Sequence, residues 1–270
     1  MRILGLDLAF MILFWILVGP PLAAVGWLAG RLPVPTWAHL GLAPLYALLF
    51  VVLLLAMAGI VRTALPALKP GSYPFPGHRQ SGAWLAHFAL MRVMSFPLWS
   101  RLVFAFSSLR WLWFRSLGAR AAFDMRTAVD ITVTDPSLVE VGQGSMLSAG
   151  TFLAGHFIEN DHLLLAPVRV GKGAQLHGQV TLAPGAEVGE DAVVGPGTTL
   201  LPSASIGCDA HVGLGCLLHN GARVGDNAVV GHQAVLEADV VVGAGAVVQA
   251  GARVPRGTVI PDGGRFPPRE

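Results

Sequence analysis

The chain changes its hydrophobic pattern twice. Residues 3 to 30 and 40 to 61 (the second reading LGLAPLYALLFVVLLLAMAGIV) are almost continuously apolar. About 20 such residues cover the hydrocarbon core of a bilayer, so each run predicts a membrane-spanning helix. The Gly19-Pro20-Pro21 step predicts a kink in the first helix, because proline removes a helical N–H and crowds the preceding turn. A single Arg2 ahead of so long a run argues against a cleaved leader. Between Gly82 and Gly118, Trp, Phe and Leu mix with Arg92, Arg101 and Arg110 around Pro97. That mixture predicts helices lying in the membrane interface or re-entering it, with guanidinium heads reaching for phosphates. Trp111, Trp113 and Phe114 read as an interfacial anchor.

From Val170 the period becomes six. Fifteen hexads follow without a slip, from VGKGAQ to VPRGTV; each begins with Val, Leu or Ile and carries Ala, Val, Thr or Cys at its fifth position. A fixed period with one large and one small apolar residue per unit predicts short strands that stack on the units above and below. Helices would need a period of 3.6. Hexads at 170, 188, 206, 224 and 242 begin Val-Gly or Ile-Gly, whereas those at 182, 200, 218, 236 and 254 do not. The eighteen-residue super-period gives three inequivalent faces per turn, a triangular prism of parallel coils. Three further hexads start at Val141, Leu147 and Leu153; the array then skips Glu159 to Arg169 and resumes in phase. An insertion looping out at one corner leaves the register intact, since closing a loop costs little extra as it lengthens.

Composition sharpens the division. Hydrophobic residues make up 53% of the chain and charged residues 13%, an unusual balance for a soluble protein. No Asp or Glu occurs between Asp7 and Asp124, an interval with nine Lys or Arg; from Asp124 onward 15 acids face 8 bases. Basic residues gather after the second apolar run, so the positive-inside bias puts the rest of the chain in the cytosol, at an inner membrane. Cations set among lipid-compatible side chains make nucleic acid a poor partner. Cys208 and Cys216 match neither a metal clip nor a disulfide framework and read as reduced thiols. The expected layout is a membrane-embedded and interfacial helical region at 1–126, a repeat domain at 127–265 and a tail at 266–270.

The repeat resembles the hexapeptide-repeat family, whose units fold as a left-handed parallel β-helix. The order VGQGSMLSAGTFLAGHFIEND, then LLAPVRVGKGA, is similar to its O-acetyltransferase branch, where a Gly-His pair ends one coil and the His is the general base. That role falls on His156. Imidazole, with an ordinary pKa of ~6.5, suits proton removal from a hydroxyl or amine attacking a thioester. Glu159, Asn160 and Asp161 are its candidate orienters, by sequence proximity. RVPRGTVIPDGGR resembles the family's closing element near the coenzyme A site, and the resemblance places Gly195, Gly213, Arg253 and Arg256 at the donor; Asp262-Gly263-Gly264 departs from the family's Gly-x-Pro. Residues 62 to 200 also resemble membrane β-helix regions of poly-lysine synthetase-like peptide synthetases, through KPGSYPFP, LRWLWFRSLGARA and DPSLVEVG.

What these resemblances imply is a membrane-anchored acyltransferase. Its co-substrate is acetyl-CoA or another acyl thioester, on coenzyme A or on an acyl or peptidyl carrier protein. No metal is expected, because His162, His177, His211, His219 and His232 lack zinc-site spacing. The family implies a homotrimer, and the anchor implies a membrane-associated acceptor meeting His156 in the coil nearest the bilayer. An amide-forming synthetase component and a non-catalytic scaffold at the membrane remain as alternatives.

Overall fold

The computed structural model describes residues 2–267, and 268–270 of the expected tail lie outside the described residues. The chain forms two compact units, one of residues 1–67 with 83–118 and one of residues 68–82 with 119–270.

The first unit is helical: α1 (Arg2–Arg31), α2 (Ala38–Ala64), most of α3 (Arg79–Met94), α4 (Pro97–Ala105) and α5 (Ser107–Ser116). Helix α1 runs through Pro20 and Pro21 without a break. Two helical stretches, Phe10–Arg31 and Ala38–Ala64, are long and apolar enough to cross a membrane, with mean hydropathies of 2.0 and 2.6; α3 and α4, bent by 76°, would make a third if they count as one span. Trp15, Leu22, Trp27, Leu40 and Ile60 are exposed on α1 and α2, the reverse of a water-facing helix. Trp113 and Phe114, expected as an interfacial anchor, are instead core residues of this unit. They are 2% and 0% exposed and pack edge-on, with Phe104 5.3 Å from Trp113. Burying two large rings outweighs keeping them at an interface.

The second unit is the prism. Three parallel sheets of eight, eight and seven strands form its faces, and a separate three-stranded sheet stands apart from them. The strands that matter for the site are β1 (Gly71–Pro74), β2 (Arg120–Ala121), β3 (Arg126–Thr127), β4 (Thr132–Val133), β5 (Val139–Val141), β6 (Met146–Leu147), β7 (Phe152–Leu153), β8 (His156–Glu159), β9 (His162–Leu165) and β10 (Val168–Val170). Successive coils lie in register eighteen residues apart, as Leu182 beside Leu200 and Leu200 beside Leu218 show. The first hexad positions from Val170 to Val254 are all buried, and so are the fifth positions from Ala174 to Ala246. Where the fifth residue is polar its hydroxyl is used internally: Ser145 and Thr151 donate to carbonyls three residues back, and Thr198 donates to the Gly213 carbonyl. Cys216 fills the same kind of slot, and burial pushes its thiol pKa up.

The prism begins earlier than the hexad pattern shows. Strand β2 pairs in parallel with Glu140–Val141, β3 with Met146–Leu147 and β4 with Phe152–Leu153, so a complete coil precedes the one at Val141. The boundary between units falls at 118/119 rather than 126/127. Two features hide this coil. Ala121 and Thr127 stand where later coils have Val, Leu or Ile, while the bulky Met125 and Ile131 occupy the small-residue positions. The 3₁₀ turn Pro136–Leu138 then lengthens one corner and breaks the phase.

Candidate active site

The interruption at His156 to Leu165 is a β-hairpin. Strands β8 and β9 pair antiparallel from His156 beside Leu165 to Glu159 beside His162. Asn160 and Asp161 form its two-residue tip with φ of 48° and 57°, the left-handed pair that a type I′ turn requires and that Asn and Asp tolerate. Strand β1 adds to the hairpin's other edge, pairing with β9 from Gly71 beside Leu165 to Pro74 beside His162, and the Phe75 N–H donates to the Asp161 carbonyl at 2.7 Å. The Ser81 hydroxyl, itself buried, donates to the Pro74 carbonyl and ties off the strap. Leu163 and Leu165, across from Ile158 and His156, are 0% exposed while Ile158 is 43% exposed, so on the face carrying His156 the β9 side is the packed one.

At the hairpin's base sits a second residue that the sequence reading did not select. His156 Nδ1 lies 2.6 Å from Asp135 Oδ2, with the His156 side chain 20% exposed and that of Asp135 1% exposed. Asp135 Oδ2 also accepts from the Gly155 N–H at 3.1 Å and from the Thr134 hydroxyl at 2.7 Å. Asp135 and His156 occupy the same corner of the prism on the first and second coils, which makes them spatial neighbours although 21 residues apart in the chain. Gly155 makes the approach possible: a Cβ there would come 3.0 Å from Asp135 Cβ and 2.9 Å from Leu138 Cβ. A carboxylate accepts only, so Nδ1 is the protonated nitrogen and Nε2 carries the lone pair that can take a proton.

The structure carries the expected orienters away from the ring. Glu159 is three strand residues from His156, about 10 Å at the rise of a β-strand, and is exposed; Asn160 and Asp161 serve the turn itself. Asp135 opens the DPSLVEVG stretch that carries the synthetase resemblance, but nothing there marks it as a neighbour of His156, because its coil is not recognisable as a coil.

Of the residues assigned to the donor, Gly195 and Gly213 stack on one another at the corner between the second and third faces, a different corner from His156. A Cβ on Gly195 would lie 2.5 Å from the Gly213 carbonyl carbon, so close coil stacking alone requires glycine there. Arg253 and Arg256 stand on the His156 side of the prism, five coils further along, about 24 Å at ~4.8 Å per coil. Arg253 donates to Glu237 at 2.7 Å and Arg256 to Asp239 at 3.2 Å. The Arg253 hydrogen bond holds the Glu237 carboxyl below the usual carboxylate range. A groove of about 550 Å³ along the first face is lined by Arg120, Glu140, Arg169 and Glu187, whose charges pair in sequence up the sheet. Among the described residues, no three His, Cys, Asp or Glu side chains converge as a metal-ligand group.

The strap makes a testable contribution to the site. Since Phe75 and Asp161 form a hydrogen-bonded pair, alternation along the antiparallel ladder makes Tyr73 and Leu163 the next such pair. Tyr73→Pro removes that N–H. Losing one to two kcal/mol of local stability should speed hydrogen exchange of the β9 amides about 5- to 30-fold. Unchanged exchange would mean that β1 does not hold the hairpin.

Residues 221–256 match the family described as bacterial transferase hexapeptide (six repeats). A comparison with curated proteins finds no match. Similar solved structures include PerB from Caulobacter crescentus in complex with CoA and GDP-perosamine, 19% identical over 62% of this chain and 70% of that one, TM-score 0.31. A hexapeptide transferase family protein from Anaplasma phagocytophilum is 20% identical over 53% and 75%, TM-score 0.25. The acetyltransferase domain of PglB from Neisseria gonorrhoeae, in complex with acetyl coenzyme A, is 16% identical over 59% and 66%, TM-score 0.25.

Proposed function

Starting from the hexapeptide-repeat β-helix that this chain carries, we propose that it is a membrane-anchored acyltransferase in which His156 is the general base and Asp135 its positioning residue. The observation that carries this reading is the 2.6 Å contact of His156 Nδ1 with a buried carboxylate that two further donors hold in place. Such a carboxylate fixes the ring's tautomer and stabilises the imidazolium that forms when Nε2 takes a proton.

The reaction follows from that arrangement. An acceptor O–H or N–H gives its proton to Nε2 as the oxygen or nitrogen bonds to the carbonyl carbon of an acyl thioester. The tetrahedral intermediate then breaks its C–S bond, and the departing thiolate takes the proton back from Nε2. Acetyl-CoA is the donor that the family favours, and an acyl group on a carrier protein presents the same thioester. Arg253 and Arg256 suit the anionic end of an extended donor lying along that edge of the prism, each exchanging its present carboxylate partner for phosphate. Gly195 and Gly213 would contribute backbone at the neighbouring corner. A homotrimer fits the exposed Leu214 and the half-buried Leu201 and Leu217 on the outer surface.

The acceptor is membrane-associated in this reading, an amphiphile bearing a hydroxyl or amine. Two helices with exposed Trp, Leu and Ile at mean hydropathies of 2.0 and 2.6 are stable in hydrocarbon and not in water. An anchor of that kind confers nothing on an enzyme whose two substrates are both dissolved. The positive-inside bias places the prism on the cytosolic side, where coenzyme A thioesters are available.

The test is to incubate the full chain with acetyl-CoA labelled in its acetyl group and with separate lipid and aqueous extracts. Mass spectrometry should find the label in an organic-phase product with wild type and not with His156→Ala. Label confined to aqueous products would overturn the membrane acceptor, and equal labelling by His156→Ala would overturn the base.

A further inference from the structure

We infer that the helical unit binds one anionic phospholipid, holding an acyl chain in a crevice between α1, α2 and α3 with Arg92 at the phosphate. The crevice has a volume of about 570 Å³, inside the ~300–1,000 Å³ range of ligand pockets. Phe10 and Leu13 line it from α1, Val61 from the end of α2 and Leu65 just beyond it, and Phe88 from α3; Arg92, in the last turn of α3, contributes the one charge among the described lining residues.

Three observations select the occupant. Phe10, Leu13, Val61, Leu65 and Phe88 are half-buried, so the crevice is open along its side and not a sealed void. Its walls include the two helices long and apolar enough to cross a membrane, so what enters from the side is hydrocarbon. An empty crevice would leave its wall atoms without dispersion partners, and water would gain few hydrogen bonds there. The Arg92 side chain is exposed, and among the described side chains of this unit there is no Asp or Glu that could neutralise it. A guanidinium beside an apolar slot fits an amphiphile with a phosphate head, which it can grip with two parallel N–H donors. A zwitterionic lipid offers the same tail, but its own cation competes for the phosphate.

The inference rests on the membrane-embedding part of the proposed function and not on acyl transfer. The test uses the full chain reconstituted in vesicles of equal phosphatidylglycerol and phosphatidylcholine, washed with carbonate, extracted in detergent and weighed by native mass spectrometry. Wild type should retain one phosphatidylglycerol in preference to phosphatidylcholine. Arg92→Gln should lower that preference about fivefold, the worth of one basic residue at a lipid surface. Ala89→Trp, which fills the crevice from α3, should remove bound lipid of both kinds. Equal retention of the two lipids by wild type, an unchanged preference in Arg92→Gln, or a bound species with the mass of a peptide would each overturn the assignment. If Ala89→Trp loses helical circular dichroism, Arg92→Gln decides alone. Chain that stays in the carbonate-washed membrane yet shows no lipid preference counts against the crevice only, whereas chain that washes out counts against the anchor as well.

Discussion

Asp135→Asn is expected to lower kcat by about 10²- to 10⁴-fold while the protein remains folded. The amide oxygen can still accept from the Thr134 hydroxyl and the Gly155 N–H, so the corner of the prism keeps its internal bonds. That same oxygen faces His156 Nδ1 and goes on accepting from it, but it is neutral, so the imidazolium that forms when Nε2 takes a proton loses the opposite charge that stabilised it. KM for the acyl donor should change little, because the loss falls on proton transfer and not on binding. Asp135→Ala is the contrasting variant. It leaves three donors facing a buried void where the carboxylate stood, at about 1–3 kcal/mol for each buried group left unsatisfied, so the melting temperature should fall along with activity. Thermal denaturation and steady-state kinetics on the two variants separate positioning from folding. An Asp135→Asn enzyme with wild-type kcat would mean that the contact at 2.6 Å has no part in the chemistry.

The second large effect is structural. Gly195→Val should destabilise the prism by at least ~3 kcal/mol, because the first added carbon lands 2.5 Å from the Gly213 carbonyl carbon and from the Leu214 nitrogen. Backbone cannot yield as a flexible side chain does, and the stacked coils on either side hold both chains in register. Denaturant unfolding followed by circular dichroism measures the loss. The same variant weighs the donor role that the family resemblance gives Gly195. If that glycine serves packing alone, the folded fraction keeps its KM for the thioester; a KM raised severalfold at wild-type stability would place the donor against this corner.

The repeat was legible because its information is redundant. From Val170 onward a large apolar residue every six positions and a small one four places later recur coil after coil, and they are the residues found buried. Legibility fails where the two sizes trade places. In the first coil Ala121 and Thr127 sit at the large positions and Met125 and Ile131 at the small ones, which erases the pattern. The carboxylate in contact with His156 lies in that coil, whereas Glu159, Asn160 and Asp161 are the polar residues that follow it most closely in sequence. Glu159 to Asp161 are close along the chain, yet the hairpin extends and carries them away from the ring, whereas Asp135 returns to it by way of the coil. Chain proximity misleads in a solenoid, where the nearest neighbours are one turn away. The strap from Gly71 to Pro74 lies within KPGSYPFP, yet nothing in that stretch predicts a strand: its four residues have no pattern of their own and become one only against β9. Trp113 and Phe114 show the limit of composition, since aromatic residues near Arg suit a membrane interface and a helical core equally well.

Acyl transfer from a thioester by the His156–Asp135 pair is the proposed activity. The most direct measurement is the rate of thiol release from acetyl-CoA by the full-length protein in the presence of lipid extract, compared among wild type, His156→Ala and Asp135→Asn. The expected result is acceptor-dependent release by wild type that falls about 10²- to 10⁴-fold in both variants, with their melting temperatures close to that of wild type. Release that does not depend on the acceptor, or that persists at the wild-type rate in either folded variant, would contradict it.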